Sequence, residues 1–254
     1  MLTVISPAKR LDETPAERAA TQVRFAPEVS ALLDVVRALS VADLMALMSI
    51  SEKLAVLNRD RFRDWDAAPE KPAVLAFAGD TYTGLDAATL PEDALRHAQG
   101  GLRILSGLYG LLRPLDGVRP YRLEMGSRLR TPRGRDLYAF WGDRIARALA
   151  EDAARIGARH VLNCASQEYF GAVDRRALGL PVVTPRFLEE RPGGPKVVAF
   201  FAKQARGAMA RHVAEHRLTD PSDLRGFRAG GYAYQPALST PEAPVFLRAE
   251  RPAA

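Results

Sequence analysis

The chain has 254 residues, of which 47% are apolar, and its 36 lysines and arginines exceed its 30 aspartates and glutamates. This composition predicts a folded protein with a buried core and excludes intrinsic disorder. No apolar run approaches the roughly 18 to 20 residues of a membrane span. A single cysteine excludes an internal disulfide framework, so we expect a cytoplasmic protein. The net charge of +6 points towards acidic partners, of which nucleic acid is the commonest.

Short apolar runs that end at proline, glycine or polar residues predict buried strands along the whole chain. These runs are Leu2–Ile5, Val74–Phe77, Arg103–Ser106, His160–Cys164, Val182–Val183, Lys196–Phe201 and Val245–Leu247. Helices are predicted between them. Pro27 begins one helix, Asp136 caps a second that ends near Gly157, and a third spans about 202–217. This mixture predicts an α/β (mixed α+β) fold: a single domain over 1–254, with a short-stranded mixed sheet and surrounding helices.

Residues 41–62 are predicted to form a helix, a short turn and a second helix. The turn Met48–Ala55 is similar to the helix-hairpin-helix pattern of DNA-repair proteins, apolar-Gly-apolar-Gly-x-x-x-Ala, with Ser49 and Ser51 in place of the glycines. In that motif, backbone N–H groups and the second helix's N-terminus hold a DNA phosphate, and Lys53 would add a cation. Serine lacks the freedom of glycine at positive φ, so a plain helical corner capped by Ser51 is the alternative.

Eight arginines and only two acidic residues lie in Gly101–Arg135, an excess equal to the net charge of the whole chain. Arginine forks interleaved with tyrosines and glycines suit contacts to phosphates and bases. We therefore expect Arg113 and Arg122, together with Lys203 and Arg206 of the third helix, to contact double-stranded DNA in one basic cleft. The alternative is a solvated basic surface.

Only five of the 36 basic residues are lysines, and Lys9 directly follows the first predicted strand, where parallel strands open onto sites. The alternative is that Lys9 caps a turn. Nearby motifs contain carboxylates and a serine that suit acid/base chemistry. These candidates are Asp80, Glu124, Asp143, Ser166 and Glu168. They could serve as structural partners that orient arginines. Alternatively, Lys9 could act as a nucleophile in an enzyme acting on damaged DNA or a nucleotide, as in glycosylases and lyases.

Several familiar motifs are absent, among them the phosphate-binding loop, the dinucleotide fingerprint and the nucleophile elbow. His212–His216 matches the H-x-x-E-H pattern of some zinc enzymes, but its cationic neighbours favour a solvated helix end. Cys164 is predicted to be a buried packing residue. An iron-binding buffer is disfavoured because no facial triad or E-x-x-H pattern appears. We therefore predict no metal and no cofactor.

Eight motifs, in order, resemble the YaaA family of bacterial peroxide-stress proteins over nearly the whole chain. They are Ser6–Lys9, Gly79–Gly84, Ser106–Gly110, Arg113–Asp116, Pro120–Gly126, Leu137–Asp143, Ala165–Phe170 and Lys203–Gly207. The resemblance implies a cytoplasmic protein that limits oxidative damage under hydrogen peroxide and is linked to lower free iron. It also implies binding of double-stranded DNA through a positively charged cleft and a helix-hairpin-helix element, on a mixed α/β fold. It implies no particular reaction, and the sequence sets no oligomeric state.

Overall fold

The computed structural model describes residues 1–249. Its strands are β1 Leu2–Ile5, β2 Arg10–Leu11, β3 Lys71–Pro72, β4 Phe77–Ala78, β5 Leu102–Ser106, β6 Gly110–Leu112, β7 Gly117–Val118, β8 Val161–Cys164, β9 Val182–Val183, β10 Arg186–Glu189, β11 Tyr232–Tyr234 and β12 Val245–Arg248. Its helices are α1 Ala26–Arg37, α2 Val41–Met48, α3 Glu52–Arg63, α4 Ala73–Ala76, α5 Asp80–Leu85, α6 Glu92–Gly101, α7 Leu137–Trp141, α8 Arg144–Arg155, α9 Gln167–Phe170, α10 Arg175–Leu178 and α11 Ala199–His216. These elements confirm the predicted mixed α/β class.

A five-stranded sheet with the order β6-β5-β1-β8-β9 lies at the centre of the fold. All neighbouring strands are parallel except β6, which returns antiparallel beside β5. The residues of β1 are buried throughout, as expected for a parallel strand covered on both faces. A smaller sheet, β10-β12-β11, buries an aromatic cluster of Phe187, Phe227 and Phe246.

One continuous cluster of buried apolar side chains runs from Met1 to Phe246. This supports the prediction of a single domain, although the last five residues of the predicted range 1–254 lie outside the described residues. Helices α5 and α11 cross very closely within this core. A Cβ atom added to Gly207 would lie 1.7 Å from the carbonyl oxygen of Thr81, and one added to Gly84 would lie 1.9 Å from that of Gln204. Only glycine allows this approach of the two backbones.

The predicted strand Val74–Phe77 is wrong, because its first residues belong to the single helical turn α4. The backbone N–H groups of Ala73 and Val74 donate to the carbonyl oxygens of Asp116 and Pro114, each at 2.9 Å. The loop between β6 and β7 therefore accepts the backbone hydrogen bonds that a neighbouring strand would otherwise accept. A short apolar run that is buried on all sides does not distinguish a strand from a helical turn by its periodicity.

The predicted strand Lys196–Phe201 is also wrong. Lys196 pairs with Glu189 through an isolated bridge, and α11 begins at Ala199. Val197 and Phe200 are 57% and 49% exposed, so this apolar run is not a buried strand. The buried residues of α11 repeat at helical spacing from Ala202 onward, and the helix continues back to Ala199 despite the β-propensity of the aromatic pair.

The helix predicted after Asp136 divides into α7 and α8 at Gly142, which has φ +51° and ψ −125°. Asp136 caps α7 as predicted, accepting a hydrogen bond of 2.8 Å from the Ala139 N–H. Trp141 at the end of α7 is fully buried and donates from Nε1 to the Gly107 carbonyl oxygen at 3.0 Å. The break therefore allows α7 to bury its tryptophan while α8 runs in a new direction.

Candidate functional site

The carboxyl ends of β1 and β8 meet at two serines. Ser6 Oγ accepts a hydrogen bond of 2.9 Å from the Ser166 backbone N–H, and the two hydroxyl oxygens are 3.4 Å apart. Along the chain, the strand of this sheet that follows β1 is β5, which lies on one side of the β1–β8 pair. The strand that follows β8 is β9, which lies on the other side of that pair. Ligand crevices of open α/β sheets form at such a switch point, outside the carboxyl ends of the strands. We call this region the carboxyl edge.

Lys9, Arg122 and Glu124 form an ionic cluster at the carboxyl edge. Lys9 Nζ lies 3.4 Å from Glu124 Oε1, and Arg122 binds the same oxygen through Nε and Nη2, each at 2.9 Å. Glu124 Oε2 is buried and has no hydrogen-bond partner within residues 1–249. The Lys9 side chain is 67% exposed and that of Glu124 is 12% exposed. The cluster thus offers an accessible ammonium group backed by a nearly buried carboxylate.

Three buried tyrosines lie behind this cluster. Tyr82 donates from its hydroxyl to the Ser6 carbonyl oxygen at 3.2 Å, and the Tyr121 hydroxyl is 2.6 Å from Ser106 Oγ. Burial raises the pKa of Tyr121, and a hydrogen bond with Ser106 opposes this only in part. Burial likewise raises the pKa of Tyr169, reinforced by nearby Tyr121 and carboxylates. Burial also raises the pKa of Tyr82, so all three phenols stay protonated beside the ionic cluster.

Helices α5 and α11 bring a further pair of charges to the carboxyl edge. Asp80 begins α5 beside the loop after β1, since a Cβ on the preceding Gly79 would lie 3.2 Å from that of Ala8. Lys203 Nζ of α11 lies 3.9 Å from Asp80 Oδ2, a loose and partly exposed pair. The close crossing of α5 and α11 therefore positions both side chains.

Arg206 and Glu168 complete the group of predicted residues at this edge. Burial raises the pKa of Cys164 to about 12, and the positive charge of Arg206 nearby opposes this. Arg206 is half-buried and makes no hydrogen bond or ion pair within the part of the chain that the structure describes. Glu168 Oε1 accepts a hydrogen bond of 3.0 Å from the Gly126 N–H. The arginine is therefore available to an anion, whereas Glu168 is committed to the loop around Gly126.

The segment from α2 to α3 folds as a helix, a turn and a helix, and we call it the hairpin. Ser49 adopts φ +50° and ψ +53°, the left-handed conformation that the glycine of the pattern would supply. Ser51 occupies the N-cap position of α3, but its side chain makes no capping hydrogen bond. The backbone N–H groups of Glu52 and Lys53 donate no hydrogen bond within residues 1–249. The N-terminus of α3 therefore presents unpaired donors to solvent.

The hairpin adjoins the arginine-rich segment. Ser49 lines a surface groove together with Gly126, Arg128 and Arg130, and both arginines are exposed. The Gly126 N–H also donates to Glu168 of α9, so the groove adjoins the carboxyl edge. We call the surface formed by the hairpin, this groove and the carboxyl edge the basic face.

Arg113 and Asp143 lie outside the basic face. Arg113 follows β6, where Leu112 pairs with Ile104, and it therefore lies towards the amino ends of the parallel strands. It is bound to Asp116 Oδ1 from Nε at 2.9 Å. Arg113 and Arg122 thus do not share one cleft. Asp143 precedes α8 and accepts a hydrogen bond of 2.6 Å from Arg147 Nε.

The two histidines of the H-x-x-E-H motif contact each other, and its glutamate contacts a neighbouring arginine. The rings of His212 and His216 are 4.2 Å apart, and Glu215 Oε1 pairs with Arg211 Nε at 2.8 Å. Within residues 1–249, no group of three or more His, Cys, Asp or Glu side chains is arranged to hold a metal ion. None of the helices over the same range combines the length and apolar character that crossing a membrane requires.

The sequence pattern did not single out Tyr82, Tyr169 or Ser6, and it marked Tyr121 only as an aromatic residue among the arginines. Tyr82, Tyr121, Tyr169 and Ser6 all lie inside motifs that also contain a predicted charged residue. Their position beside predicted site residues in the same motifs is therefore the sequence feature that could have identified them. Their contacts with one another depend on the order of the strands, which residue types and spacing do not reveal.

Comparison with known proteins gives consistent matches along the chain. The sequence profile of the family described as peroxide stress protein YaaA matches residues 1–238. A UPF0246 protein of Jannaschia sp. (strain CCS1) is 58% identical over 252 residues, which cover 98% of each chain. A UPF0246 protein of Cereibacter sphaeroides (strain ATCC 17029) is 60% identical over 256 residues, which cover 98% of this chain and 100% of the relative. A UPF0246 protein of Ruegeria pomeroyi is 56% identical over 252 residues, which cover 98% of each chain.

Proposed function

The chain belongs to the peroxide stress protein YaaA family and has a stress-related role, and we propose that it fulfils this role by binding double-stranded DNA. In this proposal the protein acts in the cytoplasm and limits oxidative, iron-dependent damage. The DNA lies along the basic face and is held mainly through its phosphates. Such binding has little sequence preference and depends steeply on salt.

The hairpin is the observation that carries this proposal. Ser49 turns the backbone in the left-handed conformation, and the N–H groups of Glu52 and Lys53 find no acceptor among residues 1–249. A helix N-terminus with free N–H groups favours a phosphate through both hydrogen bonds and the helix dipole. Lys53 is exposed on the first turn of the same helix and adds a cation. The hairpin therefore has the groups of a backbone phosphate site.

The rest of the basic face extends this contact. Arg128 and Arg130 lie beside the hairpin, and Arg122, Lys203 and Arg206 lie towards the carboxyl edge. Arginine forks suit phosphate oxygens, and a lysine adds a point charge. Together they would contact several phosphates along one side of a duplex.

Fluorescence anisotropy with labelled duplexes of unrelated sequence, over a range of salt concentrations, tests the proposal. We expect similar affinities for all sequences and a linear decrease of log K with log salt. Lys53→Glu should weaken binding at least about fivefold, about 1 kcal/mol, without changing the melting temperature. Lys196→Glu is the matched control, because it makes the same charge change at an exposed lysine outside the basic face. Equal loss in both variants, or no duplex binding by the unchanged protein, would contradict the proposal.

A second function, an enzyme acting on damaged DNA or a nucleotide, is favoured by the pairing of Lys9 with Glu124 at the switch point. An amine that adds to the aldehyde of an abasic site loses water to form a Schiff base, which borohydride reduces to a stable amine. Trapping with abasic, uracil-containing and oxidised duplexes tests this function. A covalent adduct that Lys9→Arg abolishes would support it, and the absence of any adduct would leave DNA binding alone.

A further inference from the structure

A small cavity near the amino ends of the parallel strands is lined almost entirely by charged side chains. It measures about 240 Å³, and apart from one leucine it is lined by Arg24, Arg103, Arg113, Arg155, Asp116 and Asp152. Four arginines face two aspartates in the lining, and Arg24 also pairs with the exposed Glu151 at 3.3 Å, so the cavity keeps a net positive charge. This cavity, called the arginine cavity below, is separate from the basic face.

Among the residues that the structure describes, three guanidinium groups of the arginine cavity keep N–H donors without acceptors. Arg103 uses Nε for Asp152 Oδ2 at 2.5 Å and Nη1 for backbone carbonyls, while its Nη2 donates to nothing within residues 1–249. Arg113 uses Nε and Nη2 for Asp116 and a backbone carbonyl, which leaves Nη1. Arg155 contacts Asp152 through Nη2 at 2.9 Å, which leaves Nε and Nη1. Unpaired donors are thus supplied by several side chains around one small volume.

Burial makes the positive charge of Arg103 costly, whereas the Arg113 and Arg155 side chains are 38% and 59% exposed. Arg103 is 2% exposed, and burial lowers its pKa, with the nearby charges of Arg24 and Arg113 acting in the same direction against the pairing with Asp152. Like charges repel more strongly when they are shielded from water. An anion in the cavity would remove this repulsion and accept the free N–H groups.

We propose that the arginine cavity binds a doubly charged tetrahedral oxyanion, either inorganic phosphate or the terminal phosphate of a monoester. The charge of a phosphate monoester, about −1.5 to −2 at pH 7, is opposite in sign to the net charge of the cavity lining. Its oxygens suit the planar forks of several arginines. A phosphodiester of DNA fits less well, because it carries one negative charge and a sugar on each side. This inference is independent of DNA binding by the basic face.

Calorimetry and thermal unfolding of the full chain with inorganic phosphate test the proposal, with sodium chloride at equal ionic strength as the reference. We expect saturable binding of one phosphate and a rise in melting temperature that chloride does not produce. Adenosine 5′-monophosphate forms the second arm. Tighter binding of the monophosphate than of phosphate would identify a monoester as the ligand, and the reverse would identify the free ion.

Two variants of α8 locate the binding. Arg155→Gln removes an exposed arginine of the cavity and should weaken phosphate binding at least about tenfold, about 1.4 kcal/mol. Arg147→Gln removes a similarly exposed, ion-paired arginine of the same helix that lies outside the cavity, and it should leave phosphate binding unchanged. Both variants should bind duplex DNA within about twofold of the unchanged protein, about 0.4 kcal/mol. This separates failure of the present proposal from failure of DNA binding.

Other results would overturn the proposal. These are stabilisation by chloride equal to that by phosphate, or equal loss of phosphate binding in Arg155→Gln and Arg147→Gln. A test without variants uses pH: phosphate becomes a monoanion below about pH 6, whereas sulfate stays a dianion. Phosphate binding should therefore weaken more than sulfate binding between pH 7 and pH 5. An equal pH response of the two anions would exclude recognition of a dianion.

Discussion

Lys9 and Glu124 form an ion pair at the carboxyl edge, with Nζ 3.4 Å from Oε1, although they belong to different sequence motifs. Arg122 binds the same carboxylate oxygen at 2.9 Å. The Lys9 side chain is 67% exposed and that of Arg122 is 17% exposed, so water screens the lysine pair more strongly. Arg122 therefore fixes Glu124, and Lys9 remains available to a ligand.

This difference predicts unequal effects on stability. Lys9→Ala should lower the free energy of unfolding by at most about 1 kcal/mol, the range of exposed ion pairs. Glu124→Ala should lower it by about 2 to 4 kcal/mol, because it leaves the nearly buried Arg122 without its partner. Urea unfolding of both variants measures the two values. Equal effects would mean that Lys9, not Arg122, is the main partner of Glu124.

The arginines beside the hairpin predict a change in salt dependence. Arg128→Ala combined with Arg130→Ala should weaken binding to all duplexes alike and reduce the slope of log K against log salt by about 2, since each lost phosphate contact removes about 0.9. Both side chains are exposed and make no ion pair within the described part of the chain, so the fold should be unaffected. Arg96→Ala, an exposed arginine of α6 paired with Glu92, is the control. An unchanged slope in the double variant would remove this groove from the binding surface.

The carboxyl edge could be predicted from the sequence in part. Lys9 was located because it directly follows a buried apolar run, and parallel strands open onto sites at that point. Its pairing with Glu124 could not be predicted, because the partner depends on the path of an irregular segment between β7 and α7. The strands that were predicted correctly, such as Leu2–Ile5, are runs whose burial follows from composition alone.

The count of charged residues predicts a basic segment at Gly101–Arg135. It does not predict which of its arginines lie on the basic face and which line the arginine cavity. Arg103 and Arg113 belong to buried or half-buried pairs with aspartates, whereas Arg128 and Arg130 are exposed. Local sequence does not distinguish these environments, because Asp152, the partner of Arg103, lies in a distant helix. Strand order and helix placement decide which arginines can reach a ligand.

The left-handed serine of the hairpin predicts a stabilising substitution. Ser49 has φ +50°, a conformation that costs a residue with a Cβ roughly 1 kcal/mol and that glycine adopts without strain. Ser49→Gly should therefore raise the free energy of unfolding by about 0.5 to 1 kcal/mol and retain duplex binding. Ser51→Gly should not stabilise, because Ser51 has φ −66° in the extended region. If Ser49→Gly is destabilising, the turn requires the serine side chain.

The buried pair of Arg103 and Asp152 predicts an acid-sensitive contribution to stability. Burial raises the pKa of Asp152, but the hydrogen bond and charge of Arg103, with the charges of Arg24 and Arg155, outweigh it and hold the pKa below its ordinary value of 3.8. The pKa of Arg103 is lowered despite the same pairing, because Arg103 is buried and lies near the positive charges of Arg24 and Arg113. The folded state thus favours the ionised carboxyl. This contribution is fully present above about pH 4 and is lost as the pH falls through the lowered pKa.

Asp152→Asn tests this contribution. We expect a loss of about 3 to 5 kcal/mol near pH 7, because the buried guanidinium loses its counter-charge, and a smaller difference from the unchanged protein below pH 4. Asp143→Asn is the control on the neighbouring exposed pair with Arg147, and should cost less than about 1 kcal/mol. Urea unfolding across pH 3 to 8 gives both profiles. A loss for Asp152→Asn that is the same at all pH values would exclude the ionic origin.

The close glycine contact between α5 and α11 predicts that the distance between these helices sets the positions of Asp80 and Lys203 at the carboxyl edge. Gly207→Ala would place a methyl group 1.7 Å from the Thr81 carbonyl oxygen, and backbone cannot give way as a flexible side chain can. The two helices must move apart, which should cost about 3 kcal/mol or more. The same movement would separate Lys203 from Asp80, now 3.9 Å apart, and should weaken duplex binding if Lys203 contacts DNA.

Gly226→Ala is the control, since a Cβ there would meet nothing within 4 Å, and it should change stability by less than about 0.5 kcal/mol. Equal stability of the two variants would show that the close crossing is not maintained in solution. A destabilised Gly207→Ala that binds DNA normally in its folded state would instead remove Lys203 from the contact surface.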